Sequence, residues 1–195
     1  MPSSRTVARA RPKPLREPLA IRLAEPADAD GLADLHVRSW RAAYRGLVPD
    51  AFLDALSVPE RALVWRALLH RADARHTWVA ERSGRLAGFV SFGVARDADA
   101  PPDVGEVYAL YAEPDWCGTG IGTSVLAHAE SELRLIGHAA ARLWVLVGNT
   151  PAIGFYERRG WRPDEATKAE PLRPGGPEHP QLRMAKRLRP ASRLA

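Results

Sequence analysis

The chain has 195 residues and a mass of 21.4 kDa, the size of one ordinary domain. Hydrophobic residues make up 46% and charged residues 26%, so the chain can bury a core and is neither disordered nor fibrous. A single cysteine, Cys117, excludes an internal disulfide framework and any multi-cysteine metal cluster. Because no apolar run approaches the roughly 20 residues of a membrane-spanning helix, the sequence predicts a soluble protein with no membrane partner.

The net charge of +5 is unevenly distributed. Residues 1–16 hold five Lys or Arg and no acid, so the remainder of the chain is electrically balanced. We therefore predict a flexible basic tail over 1–18, one folded domain over 19–188 and a short C-terminal tail over 189–195. A neutral domain argues against specific nucleic-acid binding, and the tail's prolines argue against a cleavable amphipathic leader.

The first half of the chain predicts one strand followed by helices. A capping box at Ser57 and Glu60, with Pro59 between them, marks the start of a helix. The predicted elements are a strand over 19–25, a helix from 28 to 46, a short helix over 50–56 and a helix from 57 to about 70.

The second half alternates between periods of two and 3.6 residues. This pattern predicts a mixed α/β sheet in a single domain. Its predicted elements are a hairpin over 76–96, a loop over 97–103, a fourth strand over 104–112, a helix from about 122 to 137, a fifth strand over 142–147, a short helix from 151, a loop over 163–179 and a last edge strand over 181–188.

The segment Cys117 to Thr123 (CGTGIGT) joins the fourth strand to a helix. Three alternate glycines allow main-chain amides to approach a ligand, and the helix N-terminus adds unpaired N–H groups. Such a turn suits phosphate. The spacing fits neither a dinucleotide fingerprint nor a nucleotide P-loop, and a glycine-rich connection without a ligand is the alternative.

Two segments in the correct order resemble the GNAT superfamily of acetyl-CoA-dependent N-acetyltransferases. The turn after the strand 109–114 is similar to the family's Gln/Arg-x-x-Gly-x-Gly/Ala motif. Residues 149–161 (NTPAIGFYERRGW) are similar to its Asn-x-x-Ala-x-x-Phe-Tyr-x-x-x-Gly-Phe/Trp segment. The likeness covers roughly residues 19–165, with the hairpin matching in pattern only.

The resemblance implies a single-domain, mostly antiparallel sheet of about six or seven strands, flanked by helices and splayed between strands 4 and 5. Acetyl-CoA would bind in the split as a co-substrate, without any metal. The resemblance implies contacts with the cofactor from Leu110, Tyr111, Ala112, Cys117, Gly118, Thr119, Gly120, Ile121, Gly122, Thr123, Asn149 and Phe155.

Cys117 departs from the family pattern, because it stands where the family usually has Gln or Arg. We expect the amides of Gly118 to Thr123 to supply the recognition that a charged side chain would otherwise give. A helix N-terminus would also lower the pKa of a thiol, so an acetyl-accepting cysteine is an alternative to a packed one.

Acetyl transfer to an amine needs a base and a proton donor for the leaving thiol. We predict Glu106 as the base, because alternation places its carboxylate on one strand face with Val104, Tyr108 and Leu110, where it can face a cleft. The resemblance implies a carboxylate at this place that acts through water. A solvated glutamate is the alternative. The resemblance makes Tyr156 the donor, whereas periodicity alone favours a packed aromatic residue.

Trp40 and Tyr44 lie one helical turn apart and, with Phe92 from the hairpin, could form the wall of an acceptor pocket; the alternative is that they are core residues. The acceptor remains open among amino acids, polyamines, antibiotics and peptide N-termini. The last edge strand would offer a surface through which two copies could form a homodimer.

The sequence therefore predicts an acyltransferase that moves an acetyl group from acetyl-CoA directly to a primary amine of a small molecule or peptide. A non-catalytic acyl-CoA-binding regulatory module is the alternative, because the motif lacks its Gln or Arg. Heavy use of Ala, Arg, Gly and Pro is typical of a GC-rich bacterial genome and suggests a cytoplasmic location.

Overall fold

A computed structural model of the chain describes residues 18–71, 76–172 and 176–188. Within these ranges seven strands form one sheet in the order β1-β2-β3-β4-β5-β7-β6. Only β4 and β5 are parallel, and every other neighbouring pair is antiparallel. The mixed, mostly antiparallel sheet flanked by helices is therefore confirmed. All but the last residue of the predicted tail over 1–18, and the whole predicted tail over 189–195, lie outside the described residues.

The helices and strands follow the predicted order with one addition. The strands are β1 (Ala20–Leu23), β2 (Thr77–Arg82), β3 (Arg85–Val94), β4 (Val104–Ala112), β5 (Ala140–Leu146), β6 (Arg162–Pro171) and β7 (Glu178–Arg187), and the helices are α1 (Ala29–Ala43), α2 (Asp50–Asp54), α3 (Val58–Leu69), α4 (Ile121–Leu135) and α5 (Thr150–Glu157). No helix in the described ranges is long and apolar enough to cross a bilayer.

Local capping explains where several of these elements begin. The Ser57 side chain accepts a hydrogen bond from the Glu60 amide at 3.3 Å and starts α3. Asp28 occupies the cap position of α1, but its carboxylate binds Arg22 and the Glu25 amide instead of the helix. Asp28 therefore fastens the start of α1 to β1.

The C-terminal part of the sheet differs from the prediction. A loop was predicted over 163–179, but Arg162–Pro171 forms β6, and β7 lies between β5 and β6 instead of at the edge. Pro163, Pro171 and the charges of β6 suggest a loop in sequence, yet an edge strand tolerates them because one side of it forms no ladder. At this end of the sheet the edge strand, to which a second copy could pair, is therefore β6.

Two helical layers cover the sheet. On one face α1 and α3 pack against β2 and β3, through buried Leu32, Trp65 and Phe89. On the other face α4 packs mainly against β3 and β4, and the core there, which includes buried Leu126 and Trp161, extends to α5, β5 and β7. A smaller cluster joins α1 and α2 to the end of β5 at Leu146. These layers hold the central strands from both sides, up to the point where β4 and β5 separate.

Candidate active site

The strands β4 and β5 separate halfway along their length. Their parallel pairing runs only from Val104 opposite Ala140 to Val107 opposite Leu143, although β4 continues to Ala112. A cavity of about 380 Å³ fills the gap. The predicted splay between the fourth and fifth strands is thus present, and main-chain groups of β4 beyond Val107 lack a partner strand on this side.

Many of the predicted cofactor residues border this cleft. Five of them line it directly: Leu110, Tyr111, Ala112, Cys117 and Asn149. Tyr156, the predicted proton donor, and Tyr44, a predicted acceptor-pocket residue, line the same cavity. Asn149 is also the cap of α5, because its Oδ1 accepts a hydrogen bond from the Ala152 amide at 3.3 Å. The fold therefore brings the two sequence motifs to opposite sides of one cleft.

The glycine turn ends at the N-terminus of α4. Gly118 and Gly120 have φ angles of 77° and 94°, which favour glycine, and Gly120 caps the helix without a side-chain hydrogen bond. The amides of Ile121, Gly122 and Thr123 have no acceptor within the described residues. Such a terminus attracts an anion. The free amides at the start of α4 thus make the predicted turn suitable for binding a phosphate.

Two amides of the segment 117–123 already have acceptors, and one of them, that of Thr119, is among those predicted to bind phosphate. The Cys117 amide donates to the Pro114 carbonyl at 3.1 Å, and the Thr119 amide donates to the Trp116 carbonyl at 3.2 Å. The Cys117 thiol itself is exposed. Within the described residues, the amides of Cys117 and Thr119 are therefore occupied, whereas those at the start of α4 are not.

Arginines that the sequence motifs did not single out surround the turn. The guanidinium groups of Arg82 and Arg85 lie 5.8 and 5.7 Å from the ring of Trp116. Arg159 donates to the Thr123 hydroxyl and lies 3.7 Å from the ring of Phe155. Phe155 thus packs beneath the turn, and the surroundings are positively charged. Only the hairpin's position in the sheet brings Arg82 and Arg85 here.

A β-bulge in β4 sets the direction of its side chains. Ala109 pairs with Ser91 and Val107 with Phe92, so Tyr108 is an extra residue. Arg96 contacts both Glu106 and the Tyr108 ring, which places these two on one face. Leu110 packs on the α4 side instead. The prediction that Glu106 and Leu110 share a face was wrong, because the bulge reverses the alternation between them.

Three tyrosines meet at the cleft, of which Tyr156 is buried and Tyr44 and Tyr111 are half-buried. The hydroxyl groups of Tyr44 and Tyr111 are 2.9 Å apart. Burial raises the pKa of Tyr156 well above its ordinary value, and the proximity of Tyr44 adds to the shift. Burial likewise raises the pKa of Tyr111. These phenols are therefore protonated at neutral pH. One of Tyr44 and Tyr111 donates its hydrogen to the other, and Tyr156 can donate a hydrogen bond into the cleft.

Glu106 lies outside the cleft, on the face of the sheet opposite α4. It is only 3% exposed, and it accepts hydrogen bonds from the Arg96 amide at 2.9 Å and the Arg96 guanidinium at 2.7 Å. It lines a charged cavity of about 650 Å³ together with Asp97, Asp99 and Trp144. Because Trp144 also lines the cleft, the two cavities are neighbours. Glu106 therefore borders the neighbouring cavity and not the cleft itself.

The predicted acceptor wall is divided in the structure. Tyr44 borders the cleft, while Trp40 packs into the cluster with Phe52 behind it. Phe92 is 2% exposed and borders a second cavity on the other side of Tyr108. The three residues therefore do not line one common pocket.

Comparisons with known proteins agree with this geometry. A sequence model of the acetyltransferase (GNAT) family matches residues 32–161. The chain is 31% identical over 140 residues to the uncharacterized N-acetyltransferase YuaI of Bacillus subtilis. This alignment covers 71% of this chain and 78% of that protein.

Two solved structures with similar folds contain coenzyme A or acetyl-CoA. The PaiA N-acetyltransferase of Thermoplasma acidophilum, in complex with coenzyme A, has a TM-score of 0.68 at 19% identity, covering 87% of this chain and 99% of that one. The structure of yncA, a putative acetyltransferase from Salmonella typhimurium with acetyl-CoA, has a TM-score of 0.62 at 20% identity. The match covers 90% of this chain and 96% of that one.

The seven-stranded sheet, splayed between β4 and β5 and flanked by helices, has the acetyltransferase fold of these structures. The chain belongs to the GNAT family and is an N-acetyltransferase. The identity of its amine acceptor is a separate question.

Proposed function

We propose that the protein transfers an acetyl group from acetyl-CoA directly to a primary amine of a small molecule or peptide. The observation that carries the proposal is the cleft between β4 and β5, with unpaired amides of α4 at one end and Tyr156 in its wall. Acetyl-CoA supplies an activated thioester. The residues present fit it, because the cleft borders unpaired β4 and the helix N-terminus can hold a diphosphate.

In this proposal different groups of the chain hold the diphosphate, orient the thioester and act on the protons of the reaction. The amides of Ile121, Gly122 and Thr123 hold the diphosphate, and main-chain groups of β4 beyond the bulge orient the pantetheine arm and the thioester carbonyl. Tyr156 donates a hydrogen bond to the departing sulfur. Glu106 receives the amine proton through water, from the cavity that shares Trp144 with the cleft.

The raised pKa of Tyr156 determines what this tyrosine can do. The ordinary pKa of a thiol is about 8.5. Because the Tyr156 phenol is far less acidic than that, it cannot readily transfer its proton completely to the leaving thiolate. It can stabilise the developing thiolate by donating a hydrogen bond. Its protonated form also persists over the whole neutral and mildly alkaline range, so this role is not lost near pH 9.

Thiol release from acetyl-CoA tests the proposal. The purified chain is mixed with acetyl-CoA and a panel of amino acids, polyamines, aminoglycosides and short peptides, and free thiol is measured. We expect release that depends on at least one amine and falls about 10- to 100-fold in kcat in Tyr156→Phe, with little change in the KM of acetyl-CoA. Tight binding of acetyl-CoA without amine-dependent release would instead favour the non-catalytic acyl-CoA-binding module.

A further inference from the structure

A second cavity of about 440 Å³ lies beside the cleft, between the α1 and α3 layer and strands β2 to β4. Its walls are mostly apolar, with Trp65, Leu68, Phe92 and Val94 among them. The volume is within the range of small-molecule sites in proteins. Nothing in the proposed mechanism uses this space.

One positive charge in the cavity wall is uncompensated. Arg61 on α3 is half-buried, and it forms no ion pair or hydrogen bond with an acid in the described ranges. Its guanidinium lies 5.4 Å from the ring of Trp40. Burial lowers the pKa of Arg61, which reflects the cost of holding its charge away from water. A bound anion would offset that cost, and a guanidinium binds a carboxylate with two parallel hydrogen bonds.

The rest of the wall is compatible with an anionic ligand. None of the lining residues is an acid, and the other arginine there, Arg96, is paired with Glu106. His36 is 8% exposed, and neither of its ring nitrogens has a partner within the described residues. Burial and the nearby Arg61 lower the pKa of His36 to about 3, so the ring is neutral. The wall therefore combines one unpaired cation with apolar surface.

The position of the cavity connects it to the cleft. Tyr108 and Ala109, at the bulge of β4, line both spaces. Tyr111, which stacks on His36 with ring centroids 5.0 Å apart, also lines the cleft. A ligand in the cavity would thus lie against the strand that the reacting groups border.

We propose that this cavity binds a small molecule that combines an apolar body with a carboxylate, held by Arg61. Two kinds of ligand combine an apolar body with a carboxylate in this way, and they are the two possible sources of the bound molecule. The ligand is either the acceptor itself, an amine that also carries an apolar group and a carboxylate, or an apolar carboxylate that regulates the enzyme from beside the bulge. The first source rests on the proposed acetyl transfer, and the binding site does not.

Calorimetry with 3-phenylpropanoate and its neutral analogue 3-phenylpropanamide tests the site without acetyl-CoA. We expect the full chain to bind the carboxylate at least about tenfold more tightly than the amide, as expected for a charge-assisted bidentate contact. Arg61→Met should remove this preference and leave amide binding unchanged. Arg66→Met, on the same helix but exposed and paired with Asp30, is the matched control and should bind both probes like the wild type.

A second variant blocks the cavity and keeps Arg61. Val64 is 47% exposed at the rim, so Val64→Trp should fold and should weaken binding of both probes. Equal affinity for the two probes, binding of neither, or equal losses in Arg61→Met and Arg66→Met would overturn the proposal. CoA binding, measured in parallel, reports on the proposed function separately.

Inhibition kinetics distinguish the two sources once an acceptor is known. If 3-phenylpropanoate competes with the amine and not with acetyl-CoA, the cavity holds the acceptor. If it changes kcat at saturating amine, the cavity holds a regulator. An inhibition that persists undiminished in Arg61→Met would contradict both.

Discussion

The hydroxyl groups of Tyr44 and Tyr111 lie 2.9 Å apart and join the end of α1 to the splayed part of β4. Burial raises the pKa of both phenols, so one donates to the other across neutral pH. Both side chains line the cleft. This contact therefore holds the α1 side of the cleft at a fixed distance from the strand on which the thioester would lie.

The first prediction concerns this pair. Tyr44→Phe leaves the buried Tyr111 hydroxyl without its partner, so we expect unfolding to require about 1 kcal/mol less free energy. Denaturant unfolding of Tyr44→Phe, Tyr111→Phe and the double variant measures the coupling, which should be about 0.5 to 1.5 kcal/mol. Strictly additive losses would show that the hydroxyl groups do not interact.

The second prediction separates chemistry from structure at Glu106. Glu106→Gln keeps the side chain's shape but removes the base, so kcat/KM for thiol release should fall about 100-fold or more. Arg96→Gln is the control, because it removes the ion pair and keeps the carboxylate. It should lower stability with a much smaller effect on turnover. A Glu106→Gln variant with nearly normal kcat/KM would mean that the carboxylate only anchors Arg96.

The third prediction compares two glycines at opposite ends of α4. Gly120 and Gly137 have φ angles of 94° and 102°, and a Cβ at either position would meet nothing within 4 Å. Changing either to alanine should therefore cost a similar free energy, about 1 to 2 kcal/mol, through backbone strain alone. Only Gly120→Ala should also weaken CoA binding in calorimetry, because only Gly120 positions the free amides. Equal CoA affinity in both variants would argue against the turn as the phosphate site.

The fourth prediction is a pH dependence at the start of α1. Hydrogen bonds from Arg22 hold the pKa of Asp28 below its ordinary value. A depressed folded-state pKa contributes stability that is present above the unfolded pKa, about 3.9, and is lost as pH falls through the folded value. Asp28→Asn should thus unfold with about 1 to 2 kcal/mol less free energy at pH 7.

The difference between Asp28→Asn and the wild type should shrink as the pH is lowered from about 5 towards 2. Thermal unfolding at a series of pH values measures it. Asp34→Asn is the comparison, because Asp34 is 52% exposed in its pair with Arg38. It should change stability by less than about 0.5 kcal/mol at any pH. If the difference in unfolding free energy between Asp28→Asn and the wild type stayed constant with pH, the charge of Asp28 would not contribute to stability.

The sequence predicts much of the fold because several signals are local. The capping box at Ser57 and the two glycine-containing motifs each depend on neighbours within a few residues. The bulge at Tyr108 could not be predicted, since it arises from the register of β3 against β4 and has no residue signature here. For the same reason Glu106 was assigned to a face together with Leu110, and its separation from the cleft became visible only in three dimensions.

Long-range neighbours account for the other differences. Pro163 and Pro171 suggest a loop locally, but β6 forms because β7 provides a partner on one side. Arg82 and Arg85 belong to a hairpin that matches the family in pattern only, yet they flank Trp116 beside the glycine turn. Arg61 carries no motif at all, and its unpaired charge is evident only from the absence of any acidic partner in the described residues around it.

The insertion of β7 between β5 and β6 affects how the molecule can assemble. β5 forms one arm of the cleft, and apart from its four pairs with β4 its ladder depends on β7. Because β7 is the last strand in the described part of the chain, the cleft cannot become complete during synthesis until that strand leaves the ribosome. An interrupted chain that lacks β7 would present β5 as an open, apolar edge, prone to pair with other chains.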